Sequence, residues 1–357
     1  MNVHVQSIEL DARGASDAAL LASGAYAPLP GFMTHRQARG VAESMTLPGG
    51  ELWPLPILLR TARTSMLRRG ARIPMRYRDQ AVGAITVREW FAVPRGWAAL
   101  IYGTEDRAHP GVAAFLSAPQ TAVAGEVEWF ADRHALGFEG LTPSQTRAAI
   151  AARGWSTVVA FQTRNPIHRA HEYLLRTALE VFDGLLLHPL VGETRAEDIP
   201  AEVRLRCYDV LLQRYLPRER VLFTPFDGWM RYAGPREAVL HAIVRRNYGA
   251  THILIGRDHA GVGSYYGPFD AHALLRSVRP RLGIEPLFFD QVFYCASCDA
   301  VATRRTCAHE PDGHLLLSGS EVRRRLRSGE ELPKEFTRPE VAEILRSAYG
   351  SAEVGDA

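Results

Sequence analysis

The chain has 357 residues, 46% of them hydrophobic, so it holds enough apolar material for two or three domains rather than one core. Its formal charge of +3, from 42 basic and 39 acidic residues, is too small to indicate a nucleic-acid-binding surface. No basic segment followed by an apolar run opens the chain, and no eighteen consecutive residues are apolar. We therefore expect a cytoplasmic protein with no membrane span.

Residues 1–150 form the first predicted domain. They contain short β-prone runs interrupted by glycine and proline, a pattern typical of a small barrel-like β domain. The predicted strands are 53–59, 73–77, 81–87 and 98–102.

Residues 151–314 form the second predicted domain, in which strands alternate with longer helices. This alternation predicts an α/β, Rossmann-like fold with a parallel sheet between two layers of helices, and ligands bind such sheets beyond the carboxyl ends of the strands. Cys207 stands alone in a helical pattern, so we expect it to be a packing residue. The predicted strands are 156–161, 184–190, 220–225, 251–256 and 285–289, and the predicted helices are 168–182, 200–216, 235–248 and 270–279.

Residues 315–357 form a predicted small helical C-terminal domain. Two short helices, 318–327 and 338–349, are separated by Gly329 and Pro333, which interrupt the helical pattern.

The segment 162–172 has the most informative pattern of the chain. It follows the predicted strand 156–161, and Pro166 marks the change from strand to helix. His168 and His171 are three residues apart, which puts them on one face of a first helical turn. A histidine pair alone is also typical of a core or a surface. The unpaired N–H groups at the start of the helix nevertheless favour an anion, so the whole segment predicts a phosphate-binding loop.

The glycine-rich segment 256–263 follows another predicted strand. Glycines such as Gly256 let backbone N–H groups approach an oxyanion closely, and Arg257 adds a fixed positive charge. His259 has two interpretations, since it can reach a ligand or orient Asp258. Polar loops at 188–198 and 226–237 also follow strands; in the second, Arg231 and Arg236 either bind ligand or bridge carboxylates.

The cysteines near residue 300 have the spacing of a metal site. Cys295 and Cys298 form a Cys-x-x-Cys pair, and Cys307 follows within a short distance. This pattern favours a tetrahedral structural zinc ion over disulfides. Either His309 or His314 can supply the fourth ligand.

Taken together, motifs along nearly the whole chain resemble those of the ATP sulfurylase family, in its bacterial single-function type with a zinc-type cysteine cluster. No Gly-x-x-x-x-Gly-Lys-Ser/Thr segment occurs, so we expect no fused kinase. The motifs, in chain order, are Gly31-Phe32-Met33, Trp53-Pro54-Leu55-Pro56-Ile57, residues 162–172, His188-Pro189-Leu190-Val191-Gly192, Met230-Arg231-Tyr232-Ala233-Gly234-Pro235-Arg236-Glu237, residues 256–261, Ser318-Gly319-Ser320 and Phe336-Thr337-Arg338-Pro339-Glu340.

The resemblance implies roles for individual residues. It implies that sulfate is held by Gln162, Arg164 and the backbone N–H of Ala260. It implies a nucleotide site formed by Gln162, Asn165, His168, His171, Gly256, Arg257, Asp258, His259 and the backbone near Val292. It implies that the catalytic residues are Arg164, Asn165, His168, His171 and Arg257.

The implied activity is that of a sulfate adenylyltransferase, in which sulfate attacks the α-phosphorus of ATP and pyrophosphate leaves. Mg²⁺ would accompany ATP, and we expect the polyphosphate to hold His168 and His171 protonated. The resemblance also implies a homodimer. Two alternatives are another adenylyltransferase with a different acceptor and a non-catalytic zinc-containing module that binds nucleic acid or regulates.

Overall fold

A computed structural model of the chain describes residues 6–194 and 198–350, and residues 195–197 of the predicted loop 188–198 lie outside them. The N-terminal part is built on a six-stranded sheet with the order β1-β4-β5-β6-β2, and β3 also pairs with β6. Its strands are β1 Ile8–Glu9, β2 Gly31–Phe32, β3 Leu59–Thr61, β4 Arg72–Tyr77, β5 Gln80–Ala92 and β6 Thr121–Trp129.

Five helices accompany this sheet in the described N-terminal residues. Two of them have clear start signals: Asp11 accepts a hydrogen bond from the Gly14 N–H before α1, and Thr34 with Gln37 forms a capping box before α2. The helices are α1 Ala12–Ala22, α2 His35–Ser44, α3 Trp97–Tyr102, α4 Pro110–Ser117 and α5 Pro143–Ala152.

Two predicted N-terminal strands are wrong. Residues 98–102 belong to α3, because Gly96 and Gly103 bound a single helical segment that buries Trp97, Ala98 and Ile101 on one face. Residues 53–58 have no regular secondary structure and only Leu59 joins the sheet, since two prolines in this run lack the N–H that a ladder needs.

The central part contains a five-stranded, wholly parallel sheet with the order β11-β10-β7-β8-β9. All five predicted strands of this region are confirmed, as are its four predicted helices. The strands are β7 Val158–Phe161, β8 Gly184–Leu187, β9 Val221–Phe223, β10 His252–Ile255 and β11 Glu285–Phe288, and the helices are α6 Arg169–Leu179, α7 Ala201–Arg214, α8 Pro235–Asn247 and α9 Asp270–Leu282.

The strand order of this sheet reverses at its centre. The chain runs outward from β7 through β8 to β9, and then crosses back through α8 to β10 on the other side of β7. The carboxyl ends of β7 and β10 therefore lie side by side at a topological switch point, where open α/β sheets bind ligands. Gln162 and Gly256 are the first residues after these two strands.

The crossover helix α8 lies in the interior. Nine consecutive residues, from Glu237 to Arg245, are buried, so polar side chains on α8 must find partners inside the protein. Glu237, His241 and Arg245 are spaced four residues apart and lie on one face.

A three-stranded hairpin unit and two tail helices complete the described fold. The tail packs on α7 around an apolar cluster that includes the wholly buried Cys207, as expected of a packing residue. The elements of the hairpin unit and the tail are β12 Val292–Cys295, β13 Ala300–Thr303, β14 His314–Leu315, α10 Gly319–Arg327 and α11 Pro339–Gly350.

No helix in the described residues is long and apolar enough to cross a membrane. The domain limits at 150 and 314 stay predictions.

Candidate functional site at the switch point

The loop after β7 carries the first group of predicted residues. Gln162 is buried, with 8% of the residue exposed, whereas Asn165 is exposed. The Arg164 side chain is 16% exposed, and one of its nitrogens lies 3.9 Å from the Asp198 carboxylate. Arg164 Nη2 also donates a hydrogen bond to the Gly261 carbonyl oxygen at 3.4 Å. This contact brings the β7 loop against the β10 loop.

The two histidines lie at the start of α6. His168 precedes the first helical residue, and the His168 and His171 rings have centroids 3.8 Å apart. The His168 ring also stacks on Phe336, at a centroid distance of 4.8 Å. Both Nδ1 atoms are buried and have no hydrogen-bond partner among the residues that the structure describes. Unsatisfied buried polar atoms are uncommon in proteins, so this pair is a candidate for ligand binding.

Burial determines the protonation of this histidine pair. Loss of hydration lowers the pKa of His168 well below its usual value, and it lowers the pKa of His171 to about 4. Both rings are neutral at pH 7. We expect the two histidines to be protonated only in a complex with a polyphosphate, because its negative charge would raise both pKa values.

The loop after β10 has an unusual backbone. Asp258 and Ala260 have positive φ angles of 58° and 59°, which residues with side chains seldom adopt. Two hydrogen bonds hold this shape, from His272 Nε2 to the Gly256 carbonyl oxygen at 3.0 Å and from the Asp258 N–H to the Pro268 carbonyl oxygen at 2.8 Å. No acceptor for the Ala260 N–H occurs within residues 6–194 and 198–350. The strained loop thus presents a free backbone donor.

The side chains of this loop point in different directions. Arg257 and Asp258 are exposed. His259 is directed inward, and its Nε2 atom lies 3.1 Å from Nδ1 of His241 on α8. The sequence left open whether His259 reaches a ligand or orients Asp258. In the structure, its ring contacts His241.

Sequence reasoning missed His241. Its Nε2 atom lies 3.2 Å from Gln162 Nε2, so one ring contacts both the β7 loop and the β10 loop. The available signal was the i,i+4 spacing from Glu237, whose carboxylate lies 3.6 Å from His241 Nε2. That spacing places both side chains on one helix face, but it does not reveal what the face contacts.

The two arginines of the predicted loop 226–237 have structural partners. Arg231 forms an ion pair with Asp17 of α1 at 2.5 Å, and both side chains are buried. Arg236 donates hydrogen bonds to the backbone carbonyl groups of Val41 and Ala42 in α2. They thus join the N-terminal part to the central sheet.

The C-terminal tail supports the histidine pair. Arg338 donates two hydrogen bonds to the Glu172 carboxylate, at 2.9 and 2.5 Å, and the Arg169 N–H donates to the Phe336 carbonyl oxygen at 2.9 Å. Burial opposes ionisation of Glu172, but the hydrogen bonds from Arg338 and Arg176 outweigh it, so its pKa lies below the usual value. The clasp, as we call the Glu172–Arg338 pair, is a further feature that sequence reasoning missed.

Val292 begins β12 and packs, partly buried, against the same apolar cluster as Phe161 and Leu254. These two belong to β7 and β10, so Val292 packs against the apolar cluster to which both central strands contribute. The strand β12 ends at Cys295, which belongs to the cysteine cluster.

The cysteine cluster has the dimensions of a tetrahedral metal site. The possible ligand atoms of Cys295, Cys298, Cys307 and His309 all lie within 4.8 Å of one another. The Cys298 and Cys307 sulfurs are 3.7 Å apart, and His309 Nδ1 lies 3.2–3.7 Å from the three sulfurs. Zinc–sulfur bonds of about 2.3 Å in a tetrahedron would separate two sulfurs by about 3.8 Å. The group can hold a metal ion.

The alternative ligand His314 lies at the edge of this cluster. Its Nε2 atom is 3.9 Å from the Cys307 sulfur, and its ring stacks on Phe293 with centroids 3.7 Å apart. The geometry favours His309, whose Nδ1 atom approaches three sulfurs.

Comparisons with known proteins add an independent line of evidence. The model of the ATP-sulfurylase family matches residues 140–348, and a model described as a PUA-like domain matches residues 2–132. The predicted architecture of a β-rich N-terminal part, a central parallel sheet and C-terminal helices is confirmed.

Several curated proteins named sulfate adenylyltransferase are similar over nearly their whole length. The protein of Deinococcus deserti is 50% identical over 347 residues, which cover 96% of this chain and 89% of the relative. That of Chloroflexus aurantiacus is 49% identical, with 97% of this chain and 92% of the relative covered. Among solved structures, a hexameric APS kinase from Thiobacillus denitrificans has a TM-score of 0.74 and 25% identity; the match covers 97% of this chain but 63% of that one.

Proposed function

This chain belongs to the ATP-sulfurylase family, and on that premise we propose that it is a sulfate adenylyltransferase, which converts ATP and sulfate to adenosine 5′-phosphosulfate and pyrophosphate. The observation that carries the proposal is the meeting of two donor-rich loops at the switch point, joined by Arg164 and Gly261. A site formed by hydrogen-bond donors on the loops after two neighbouring strands binds two anions better than it binds an uncharged acceptor.

We assign the sulfate subsite to Gln162, Arg164 and the backbone N–H of Ala260. Sulfate carries no proton at neutral pH, so hydrogen-bond donors alone bind it and no general base is required. The guanidinium group of Arg164 is largely buried, which strengthens its attraction for an anion. The positive φ of Ala260 belongs to a turn whose backbone N–H groups are suited to bind an anion.

We assign the nucleotide subsite to residues around the start of α6 and along the β10 loop. The start of α6 supplies backbone N–H groups and two unpaired imidazole nitrogens, and exposed side chains can reach over the phosphates. The proposed phosphate ligands are Asn165, His168, His171 and Arg257; Gln162, Gly256, Asp258 and His259 lie next to them, and the backbone of Val292 would meet the adenine.

The proposed reaction needs no protein nucleophile. A sulfate oxygen attacks the α-phosphorus in line, a new phosphorus–oxygen bond forms, and the bond to the oxygen bridging the α- and β-phosphates breaks, so that pyrophosphate leaves. Alignment of the two reactants can supply about 7–11 kcal/mol of the barrier, and each charge-stabilising donor about 3–4 kcal/mol. We propose that Arg164, Asn165, His168, His171 and Arg257 supply this stabilisation.

We propose that the metal of the cysteine cluster is Zn²⁺ and that its role is structural, because four protein ligands leave no open position. Mg²⁺ would neutralise phosphate charge and enter with ATP. Within residues 6–194 and 198–350, the cysteine cluster is the one group of three or more His, Cys, Asp or Glu side chains arranged for a metal.

A pyrophosphate-release assay tests the proposed function. The purified protein is given MgATP with sulfate, molybdate, phosphate or no acceptor. We expect release with sulfate and with molybdate, its tetrahedral analogue, and little with phosphate or no acceptor. Release that does not depend on sulfate would contradict the proposal.

Titration with an oligonucleotide tests the nucleic-acid-binding alternative, for which we expect no binding.

We also propose a homodimer that acts in the cytoplasm, as the family resemblance and the sequence indicated. Analytical ultracentrifugation of the purified protein measures the assembly, and cell fractionation measures the location. A monomer, or recovery with the membrane fraction, would refute the corresponding part.

A further inference from the structure

His241 occupies a central position under the proposed sulfate subsite. The side chain is 5% exposed and lies between two loops, with Nε2 at 3.2 Å from Gln162 Nε2 and Nδ1 at 3.1 Å from His259 Nε2. His259 immediately precedes Ala260, the proposed backbone donor. One buried ring therefore touches residues of both loops that we assign to sulfate.

The hydrogen-bond partners of the Gln162 amide show which of its two atoms, Oε1 or Nε2, should face His241. With Nε2 turned toward His241, Gln162 Oε1 is buried and has no hydrogen-bond partner among the described residues. An unpaired buried oxygen is unfavourable, and amide oxygen and nitrogen are assigned from their hydrogen-bond partners. A half-turn of the amide places Oε1 against His241 Nε2 and turns the N–H₂ group toward the position that lacks a partner.

Glu237 selects the tautomer of His241 that favours this half-turn. The Glu237 carboxylate accepts hydrogen bonds from the N–H groups of Arg231 at 2.7 Å and Ala233 at 3.1 Å, which fix it 3.6 Å from His241 Nε2. A carboxylate accepts hydrogen bonds, so the proton belongs on Nε2, where it also faces Gln162. Burial lowers the pKa of His241, so the ring is neutral and Nδ1 is free to accept from His259.

Building on the function proposed above, we propose that His241 is a positioning residue that holds the Gln162 amide with its N–H₂ group toward sulfate, and thereby makes the site select an oxyanion without protons. The hydrogen bonds run from His259 Nε2–H to His241 Nδ1, from His241 Nε2–H to Gln162 Oε1, and from Gln162 N–H₂ to the anion. Every group that Gln162 presents to the ligand is then a donor.

Such an arrangement discriminates between two anions of similar shape. Sulfate has only acceptor oxygens near neutral pH, whereas inorganic phosphate keeps at least one O–H group that needs an acceptor. A Gln162 amide held in the donor orientation leaves that O–H unpaired, and an unpaired donor weakens binding about 10-fold or more. An amide free to rotate would offer Oε1 and accept phosphate.

The test uses three substitutions of His241 in the full-length protein. His241→Gln keeps an amide N–H₂ near the Nε2 position, His241→Asn places its amide near the Nδ1 position, and His241→Leu removes both nitrogens. His252→Leu is the matched control, because His252 starts β10 at the opposite end of the strand from the site. The readouts are the KM for sulfate, the KM for ATP and the Ki of phosphate against sulfate.

We expect His241→Leu and His241→Asn to raise the KM for sulfate about 10-fold or more, to change the KM for ATP less than about 2-fold, and to lower the ratio of phosphate Ki to sulfate KM about 10-fold. His241→Gln and His252→Leu should stay close to wild type. If His241→Leu does not fold, the contrast between Asn and Gln decides.

Two results would overturn the inference. One is wild-type phosphate discrimination in His241→Asn and His241→Leu, and the other is equal impairment by Gln and Asn, which indicates a packing role alone. These results can be distinguished from a failure of the proposed function itself. In that case the wild-type protein would show no sulfate-dependent pyrophosphate release.

Discussion

The His168 and His171 rings lie with centroids 3.8 Å apart, and the Nδ1 atom of each is buried with no partner in the described part of the chain. Burial keeps the two adjacent rings neutral. If they contact the polyphosphate as proposed, its negative charge would raise both pKa values, and the pair would then become positively charged.

Proton uptake on nucleotide binding follows from this arrangement. Calorimetric titration of MgATP near neutral pH, in buffers of different ionisation enthalpy, should show uptake of up to about two protons per site, because bound phosphates raise both pKa values. His171→Gln should reduce the uptake, and His252→Gln should not. Binding of MgATP without net proton uptake by the wild-type protein would contradict the proposed charging of the pair.

Acid should destabilise the fold through the same residues. The pKa of His171 is about 4 when folded, against about 6.5 when unfolded, so the unfolded chain binds more protons between these values. The free energy of unfolding should therefore decrease as the pH falls from about 6.5 to about 4, by about 2.5 kcal/mol for His171. Urea denaturation at several pH values measures it. His171→Gln should show a shallower decrease, and an unchanged slope would refute the assignment.

Replacing Arg164 tests the sulfate subsite. Arg164→Ala should lower kcat/KM for sulfate by about 100-fold or more, because a buried cationic donor is lost, while the affinity for ATP changes little. Arg279→Ala is the matched control, since Arg279 forms an exposed ion pair with Glu285. Steady-state pyrophosphate release and ATP titration give the two quantities. Normal turnover of Arg164→Ala with sulfate would show that the assignment is wrong.

The clasp between Glu172 and Arg338 should matter more than the exposed ion pair between Arg214 of α7 and Glu340 of α11. Arg338→Ala removes a partner of the Glu172 carboxylate, whose side chain is only 5% exposed. We expect the free energy of unfolding to fall by about 2–4 kcal/mol. Arg214→Ala breaks the exposed pair with Glu340 and should cost less than about 1 kcal/mol. Urea denaturation compares the two variants, and equal losses would refute the distinction.

The zinc ligand set can be tested by exchanging the two histidines separately. His309→Ala should lower the zinc content and the Tm, because His309 Nδ1 faces three sulfurs, whereas His314→Ala should keep the metal. Elemental analysis and thermal denaturation are the measurements. Loss of zinc from His314→Ala with full retention in His309→Ala would reverse the assignment.

Periodicity predicted the central sheet well because its strands are short, apolar and buried on both faces. In β7 and β8 every residue is buried, which appears in the sequence as continuous hydrophobic runs between helical patterns. The run from Trp97 to Tyr102 was misleading, because its aromatic and aliphatic residues suit a strand and a one-sided helix equally well. There, only the surrounding packing decides.

The candidate site was predictable where its residues are neighbours in sequence. Segments 162–172 and 256–263 were each visible as a motif, but His241 and Arg338 reach the site from other parts of the chain. Their contacts depend on how helices dock, and one sequence contains no pattern that specifies this. The residues that hold these two segments in place were therefore missed, and the ligand roles of the segments' own residues stay predictions.

The clasp and the Phe336 stacking also have a consequence for synthesis. Glu172 and Arg338 are separated by 166 positions, so the end of α6 that bears the histidines lacks its supports until the tail has left the ribosome. A nascent chain can pair all strands of the parallel sheet before that moment. The proposed polyphosphate site is thus completed late in translation, after the sheet on which it lies.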